Sequence, residues 1–232
     1  MIRFVSLLFI IYSLLAAQQQ PVTGFNGAKW GSQPDEVRTA TGVKNWLPMP
    51  VEEFPEQMNI KVFSSNTTIA GYSAVVKYYF WNDLFFQATT SFNFNELENF
   101  DFNYNVYRSV NEYYSAIRNK TMGFVHEIYR LLESKYGKKR PVFKGLNPLE
   151  IFSKLDSFLK LERWNLRYHP YDYYQRIVTS AYARWDFPKS RIIFSINISA
   201  PDKRFDYILS AASLEMKRTI ENEIEQLRSS GL

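Results

Sequence analysis

The chain has 232 residues, of which 28 are lysine or arginine and 23 are aspartate or glutamate, and it contains no cysteine. The net charge of +5 is mild and does not require a nucleic-acid partner, which usually needs basic residues clustered on one face. The absence of cysteine excludes disulfides, thiolate metal sites, a cysteine nucleophile and lipid attachment through cysteine.

The first seventeen residues have the three-part layout of a secretory signal peptide. Arg3 supplies a positive charge, residues 4–15 are almost entirely apolar, and Ala16 and Ala17 form a small-residue exit before a run of glutamines. The apolar run is shorter than the roughly 20 residues that a membrane-spanning helix needs. We therefore predict a signal peptide that is cleaved near Ala17, no stable transmembrane span after cleavage, and a periplasmic or secreted bacterial protein, since exported chains without disulfides fit that compartment.

The mature chain opens with a polar tether at residues 18–23, which is followed by a predicted strand and a predicted helix. Residues 25–31 read as a short strand in which Trp30 is expected to be mostly buried. Ser32 is the expected N-cap of the helix, because its hydroxyl can accept a hydrogen bond from a free backbone N–H group. Gly42 is expected to end that helix in the left-handed conformation.

Residues 43–60 contain three prolines and are expected to be irregular. Residues 72–80 are β-branched and aromatic, and residues 86–94 alternate apolar with polar side chains, which predicts two paired strands. Residues 81–84 contain Asn and Asp and form the expected hairpin turn, with Trp81 at its tip.

A change of period marks the next segment as helical. Apolar residues recur three or four apart over residues 106–136, and Gly137 closes the predicted amphipathic helix. A second helix is predicted from residue 148 to residue 162. The tail returns to strand patterns and ends in a charged helix. The predicted elements there are strands at residues 174–187, 192–199 and 205–210, and a helix that begins near residue 211 and runs to residue 229.

Strands that are grouped in antiparallel runs beside helices predict an α+β fold rather than a parallel sheet with crossover helices. We expect an antiparallel hairpin and meander packed against a long amphipathic helix and shorter helices. Residues 24–232 are predicted to form a single domain, with candidate sub-lobes at residues 24–140 and 141–232.

No catalytic motif is complete in this chain. His126 and Glu127 begin a zinc-protease pattern, but Arg130 occupies the position of the second histidine. There is no serine elbow and no glycine-rich phosphate loop. The paired carboxylates are interpreted as solvated surface, so the sequence predicts no catalytic residue, cofactor or metal. These carboxylates are Glu52, Glu53, Glu221, Glu223 and Glu225.

Aromatic residues are abundant, with 16 Tyr and 19 Phe, and most are explained as sheet packing. Exposed rings are expected where strand alternation breaks down, and a contiguous patch of a few hundred Å² would mark an interaction surface. The alternative is that these rings pack between the two lobes. The candidate ligand-binding residues are Trp164, Tyr168, His169, Tyr171, Tyr173 and Trp81.

One segment resembles a known group of proteins. Residues 25–37 read Phe-Asn-Gly-Ala-Lys-Trp-Gly-Ser-Gln-Pro-Asp-Glu-Val, and a later helix ends in Lys-Tyr-Gly at residues 135–137. This pattern is similar to the opening of small bacterial exported proteins and lipoproteins of unknown function. The order of elements also resembles BamE-type outer-membrane assembly lipoproteins. The chain departs from the lipoproteins in having no cysteine to lipidate.

The resemblance implies an exported, non-enzymatic envelope protein that acts as a binding or assembly module, and it brings no catalytic residues to carry over. The expected partner is an envelope protein, a peptide or a glycan, and no nucleic acid is expected. The alternative function is that of a hydrolase acting on envelope glycans or peptides.

Overall fold

The computed structural model describes residues 22–93, 110–145, 147–148, 178–199 and 204–230. Antiparallel strands and helices packed against them make up these ranges, which confirms the predicted α+β class. In chain order the elements are β1 (Gly24–Phe25), β2 (Ala28–Lys29), α1 (Pro34–Thr41), β3 (Leu47–Met49), β4 (Ile60–Ile69), β5 (Tyr72–Trp81), β6 (Leu84–Phe92), α2 (Val110–Tyr136), β7 (Val142–Gly145), β8 (Val178–Asp186), β9 (Ser190–Ser199), β10 (Arg204–Ser213) and α3 (Leu214–Ser229).

The main sheet has eight antiparallel strands in the order β3-β4-β5-β6-β10-β9-β8-β7. It consists of two four-stranded meanders, β3–β6 and β7–β10, and each meander follows a helix along the chain. The last strands of the two meanders, β6 and β10, pair with each other from Phe92↔Tyr207 to Gln87↔Ala212. This central seam makes one continuous sheet of the two halves.

Helix α2 packs on one face of the sheet, where the larger core cluster lies. Phe124 of α2 is fully buried, and its ring centroid lies 5.1 Å from that of Phe92 and 5.0 Å from that of Tyr207. Ile128 and Leu132 follow at intervals of four residues and are also buried, as expected for the apolar stripe of an amphipathic helix. The helix therefore covers the seam between the two meanders.

Helix α3 packs on a second, smaller cluster, which forms around Tyr79 and Phe86 together with residues of β4. Ile220 of α3 is buried there, and Met216 and Ile224, each four residues away, are partly buried against the same cluster. Ser213 caps the helix, since its hydroxyl accepts a hydrogen bond from the Met216 N–H at 3.4 Å.

A buried hydroxyl fastens the N-terminal segment to the second meander. Trp30 Nε1 donates a hydrogen bond to Ser190 Oγ at 2.7 Å, and the same hydroxyl donates to the carbonyl of Val22. Ser190 begins β9 and is fully buried, while the half-buried Trp30 ring packs against Phe85 at 5.0 Å. We call the Trp30–Ser190–Val22 contact the clasp. Trp30 is thus less buried than expected, but the structure gives it a packing role.

The predicted N-cap is wrong. Helix α1 begins at Pro34 with Gln33 as its N-cap, and the Glu36 carboxylate accepts a hydrogen bond from the Gln33 N–H at 3.0 Å. Ser32 is held by backbone pairing, because its carbonyl accepts from the Phe85 N–H at 3.0 Å. Gly42 ends the helix in the left-handed conformation with φ of 68°, as predicted.

Two expectations about early strands also need correction. Residues 25–31 do not form one strand, because Asn26 and Gly27 have positive φ and turn the chain between β1 and β2. The segment expected to be irregular contains β3 and the first residue of β4. The hairpin at residues 81–84 is confirmed, with Asn82 and Asp83 both at positive φ, which suits a two-residue turn.

The helix predicted over residues 106–136 is described from Val110 to Tyr136 and continues through Gly123. The strands predicted in the tail correspond to β8, β9 and β10, and the final helix corresponds to α3. That helix begins at Leu214 rather than near residue 211, because β10 continues to Ser213 in its pairing with β9. The predicted signal peptide, the polar tether up to residue 21 and the predicted helix after residue 148 lie outside the described residues.

Candidate binding cleft at the sheet edge

The outer edge of the first meander is only partly covered. Strand β4 pairs with β5 along its whole length, from Ile60↔Trp81 to Ile69↔Tyr72. On its other side, the three residues of β3 pair with β4 only between Val62 and Ser64. Beyond Ser64, no strand in the described part of the chain covers the outer edge of β4.

The loop between α1 and β3 lies across from this uncovered edge. The Arg38 guanidinium donates a hydrogen bond to the Lys44 carbonyl at 2.8 Å, which ties the loop to the end of α1. Thr41 Oγ1 donates to the Val37 carbonyl at 2.8 Å and secures the last turn of the helix. A cleft of about 710 Å³ separates this loop from β4. Its lining residues are Arg38, Thr41, Gly42, Val43, Lys44, Asn45, Trp46, Leu47, Ser65, Asn66 and Thr67, and we call it the edge cleft.

The floor of the edge cleft contains polar atoms without hydrogen-bond partners among the described residues. The Trp46 ring stacks on Phe63 at 4.9 Å, and its Nε1 is buried with no acceptor in hydrogen-bond geometry. The Ser65 hydroxyl, on a residue that is 4% exposed, likewise has no partner in full hydrogen-bond geometry, although it lies close enough to the Tyr78 phenol to lower the pKa of that phenol. Such groups normally bind water or a ligand, because leaving a buried polar group unpaired costs about 1–3 kcal/mol.

Tyr78 lies beside this floor, with its ring centroid 5.4 Å from that of Trp46. Burial raises the pKa of Tyr78, and the nearby Ser65 and Thr41 hydroxyls partly offset that rise. The Tyr78 phenol is therefore neutral across the physiological range. The floor offers hydroxyl and indole groups that bind polar ligands without adding charge.

Arg38 and Lys44 are the charged residues among those described in the lining of the edge cleft. Both side chains are exposed, and the described lining contains no carboxylate. Because two cations face the cleft without an acidic neighbour in its lining, an anionic group is the ligand that the cleft attracts best.

A second cavity of about 180 Å³ lies beside β4 and β5 and is lined in part by Glu52, Glu53, Lys77 and Tyr79. It is smaller than the roughly 300–1,000 Å³ of ordinary ligand pockets. Glu52 and Glu53 are both exposed, in line with their interpretation as surface carboxylates. Burial, and then the nearby Glu53 carboxylate, raise the pKa of Tyr79.

Five of the six candidate ligand-binding residues lie outside the described residues: Trp164, Tyr168, His169, Tyr171 and Tyr173. The remaining candidate, Trp81, is the last residue of β5, is half-buried and packs against the smaller core cluster, and its ring nitrogen is buried without a partner in the described ranges.

The residues of the edge cleft were missed by sequence reasoning. Trp46 falls in a proline-rich segment that was expected to be irregular, and Ser65 falls in a strand that was not predicted. A large aromatic residue directly after polar residues in such a segment, as in Lys44-Asn45-Trp46, was the available signal. His126, which the partial zinc pattern singled out, is exposed on α2.

Lys139 belongs to a basic run, Lys138-Lys139-Arg140, that follows α2, and it has a structural role. The Lys139 ammonium donates to the Asp186 carbonyl and lies 4.9 Å from the centroid of the Phe187 ring. Trp185 Nε1 donates to the Lys139 carbonyl at 3.0 Å. These contacts fasten the segment after α2 to the end of β8, so Lys139 is occupied within the fold.

Across the described ranges, no group of three or more His, Cys, Asp or Glu residues is placed to hold a metal ion. None of the helices described is long and apolar enough to cross a membrane. No protein-family model, curated protein or solved structure matches the chain.

Proposed function

We propose that this protein is an exported module of the bacterial envelope that binds an anionic ligand in the edge cleft. The observation that carries the proposal is the composition of the cleft. Arg38 and Lys44 line it, no carboxylate is among the described residues of its lining, and Trp46 and Ser65 have buried polar atoms at its floor without a partner in the described ranges. Export is supported by the layout of the first seventeen residues.

Binding fits this cleft better than hydrolysis does. Hydrolysis of glycans or peptides needs a group that accepts a proton near neutral pH, usually a carboxylate or a histidine. The lining residues that the structure describes include neither. Their ionisable groups are two cations, whose chemistry is suited to attraction and orientation of an anion.

The test compares two charge reversals. Lys44→Glu changes the charge at the cleft, and Lys189→Glu makes the same change in the exposed turn between β8 and β9. Binding of two anionic probes, a capped glutamate-rich peptide and an oligogalacturonate, is measured by calorimetry at low and high salt. Lys44→Glu should weaken binding of at least one probe roughly tenfold and reduce its salt dependence, because a close charge contact contributes on the order of 1.4 kcal/mol.

Lys189→Glu should alter the same affinity by less than about twofold, since a distant exposed charge is screened by salt. Equal effects of the two substitutions would show that binding follows net charge rather than the edge cleft. Failure of both probes to bind the wild-type protein would also contradict the proposal.

A further inference from the structure

The β4–β5 hairpin determines which backbone groups of β4 face the uncovered edge. Its loop consists of Ala70 and Gly71, with φ of 51° and 81°, and the flanking residues Ile69 and Tyr72 are register partners. In a two-residue hairpin the flanking pair exchanges both backbone hydrogen bonds, and hydrogen-bonded pairs then alternate along the strands. Odd-numbered residues of β4 therefore direct their N–H and C=O groups toward β5.

The even-numbered residues direct theirs to the outer edge. Ser64 and Val62 meet β3 at Leu47 and Met49. Asn66 and Thr68 lie past the start of β3, so their outward N–H and C=O groups have no strand to pair with in the described part of the chain. A short row of strand-pairing groups is thus presented to solvent at the edge cleft.

The features that protect a sheet edge from pairing with other chains are present in β3 but absent from the part of β4 that lines the edge cleft. Short edge strands and prolines discourage pairing with other chains, and β3 has three residues with Pro48 at its centre. The uncovered part of β4 contains no proline and no charged residue: it reads Ser65-Asn66-Thr67-Thr68-Ile69. An edge of this kind readily accepts an added strand.

The edge and the basic loop form opposite sides of one cleft. Asn66 and Thr67 line it from β4, and Lys44 lines it from the loop. A strand added beside β4 lies about 4.8 Å from it, with side chains alternating to either face. Acidic side chains on such a strand have Lys44 and Arg38 as counter-charges within the same cleft. Backbone hydrogen bonds would then supply the affinity, and the charge pairs would favour one register of the added strand.

We infer that the ligand of the edge cleft is an acidic peptide segment that binds in extended conformation by adding a strand to β4 at Asn66 and Thr68. This inference rests on the proposed function and specifies its ligand class. A peptide is favoured over a glycan because the site presents backbone pairing groups. The aromatic ring at the floor, by contrast, is committed to packing: Trp46 already contacts Phe63, Tyr78 and Phe80 at 4.9, 5.4 and 5.7 Å.

The experiment removes one outward N–H group. Asn66→Pro deletes the backbone N–H that the added strand would use. Asn66→Ala removes most of the side chain but retains that backbone N–H. The probe is a capped heptapeptide of alternating threonine and glutamate, and its affinity is measured by calorimetry. Asn66→Pro should bind the peptide roughly tenfold or more weakly than Asn66→Ala does, because the two variants share the loss of the side chain and differ in the backbone N–H at the edge.

Two further measurements use the unmodified protein, so that a folding defect in Asn66→Pro does not decide the outcome. The amide protons of Asn66 and Thr68 should exchange more slowly with solvent when the heptapeptide is bound. Two modified forms of the same heptapeptide are also tested, one with the odd-numbered and one with the even-numbered backbone amides N-methylated. Each form keeps the charge of the parent peptide but loses one set of N–H donors. One of these two methylated forms should bind at least tenfold more weakly than the parent peptide.

Equal binding of the parent and both methylated peptides, without slower exchange at Asn66 and Thr68, would overturn strand addition. If Lys44→Glu still weakened binding in that case, the proposed function would stand and only the peptide geometry would be wrong. Binding of oligogalacturonate in a Lys44-dependent manner, without binding of the heptapeptide, would likewise overturn the peptide assignment alone. If Lys44→Glu weakened the binding of none of the probes, both proposals would be wrong.

Discussion

The clasp allows a quantitative prediction about stability. Ser190→Ala removes a hydroxyl that accepts a hydrogen bond from Trp30 Nε1 at 2.7 Å and donates one to the Val22 carbonyl. Ser190 is fully buried, and Val22 is 5% exposed, so the carbonyl cannot recover its bond from solvent without local opening. Leaving a buried polar group unpaired costs about 1–3 kcal/mol. The cost for the Trp30 N–H lies at the lower end of that range because Trp30 is half-buried. We expect the free energy of unfolding to fall by about 2–4 kcal/mol.

Urea and thermal unfolding, followed by circular dichroism and tryptophan fluorescence, measure this loss. For a chain of this length, 2–4 kcal/mol lowers Tm by roughly 4–16 °C. The matched control is Ser195→Ala on the same strand, since the half-exposed Ser195 hydroxyl makes only a marginal 3.5 Å contact with the Ile208 carbonyl. Its cost should stay below about 0.5 kcal/mol. Indistinguishable unfolding curves for the two variants would refute the assigned role of the clasp.

Two further predictions concern the start of α1 and the end of β8. Glu36→Ala should destabilise the fold by about 0.5–1 kcal/mol because it removes the acceptor for the Gln33 N–H, whereas Ser32→Ala should change thermal stability little; the reverse order of effects would restore Ser32 as the cap. Burial disfavours ionisation of Asp186, but hydrogen bonds and charges from Arg191 and Arg184 outweigh the effect of burial and lower the pKa of Asp186. The stabilising effect of the ionised Asp186 is therefore present near pH 7 and is lost as the pH falls below about 4. Because the pair is partly exposed, Asp186→Asn should cost less than about 1 kcal/mol at pH 7 and should reduce the loss of stability between pH 5 and pH 2; an unchanged pH profile in urea titrations would contradict this assignment.

The parts of the fold that sequence patterns predicted are those in which one face of a strand is buried. β6 and β9 alternate buried with half-exposed residues along much of their length, as the period-two pattern indicated. The turn at Asn82 and Asp83 was predictable because both residues tolerate positive φ. Helix α2 was predictable because its buried residues recur at helical spacing.

The missed elements have edge positions and weak patterns. β4 starts with the buried residues Ile60 and Val62, but it is polar from Ser64 to Thr68. The outer half of this strand is uncovered and buries few apolar side chains, so its sequence shows no clear alternation of apolar and polar residues. β7 has four residues, too few to show a period. The edge cleft was not predictable because it joins a loop and a strand about twenty positions apart, and only register brings Trp46 and Ser65 together.

The central seam has a consequence for the order in which the protein can fold. Thr89 and Ser210 face each other across β6 and β10, 121 positions apart in the chain. The first meander can form early, but its β6 edge has no neighbour until nearly the whole polypeptide has been made. Contacts of such long sequence separation slow folding and leave a bare strand edge open to other chains in the meantime.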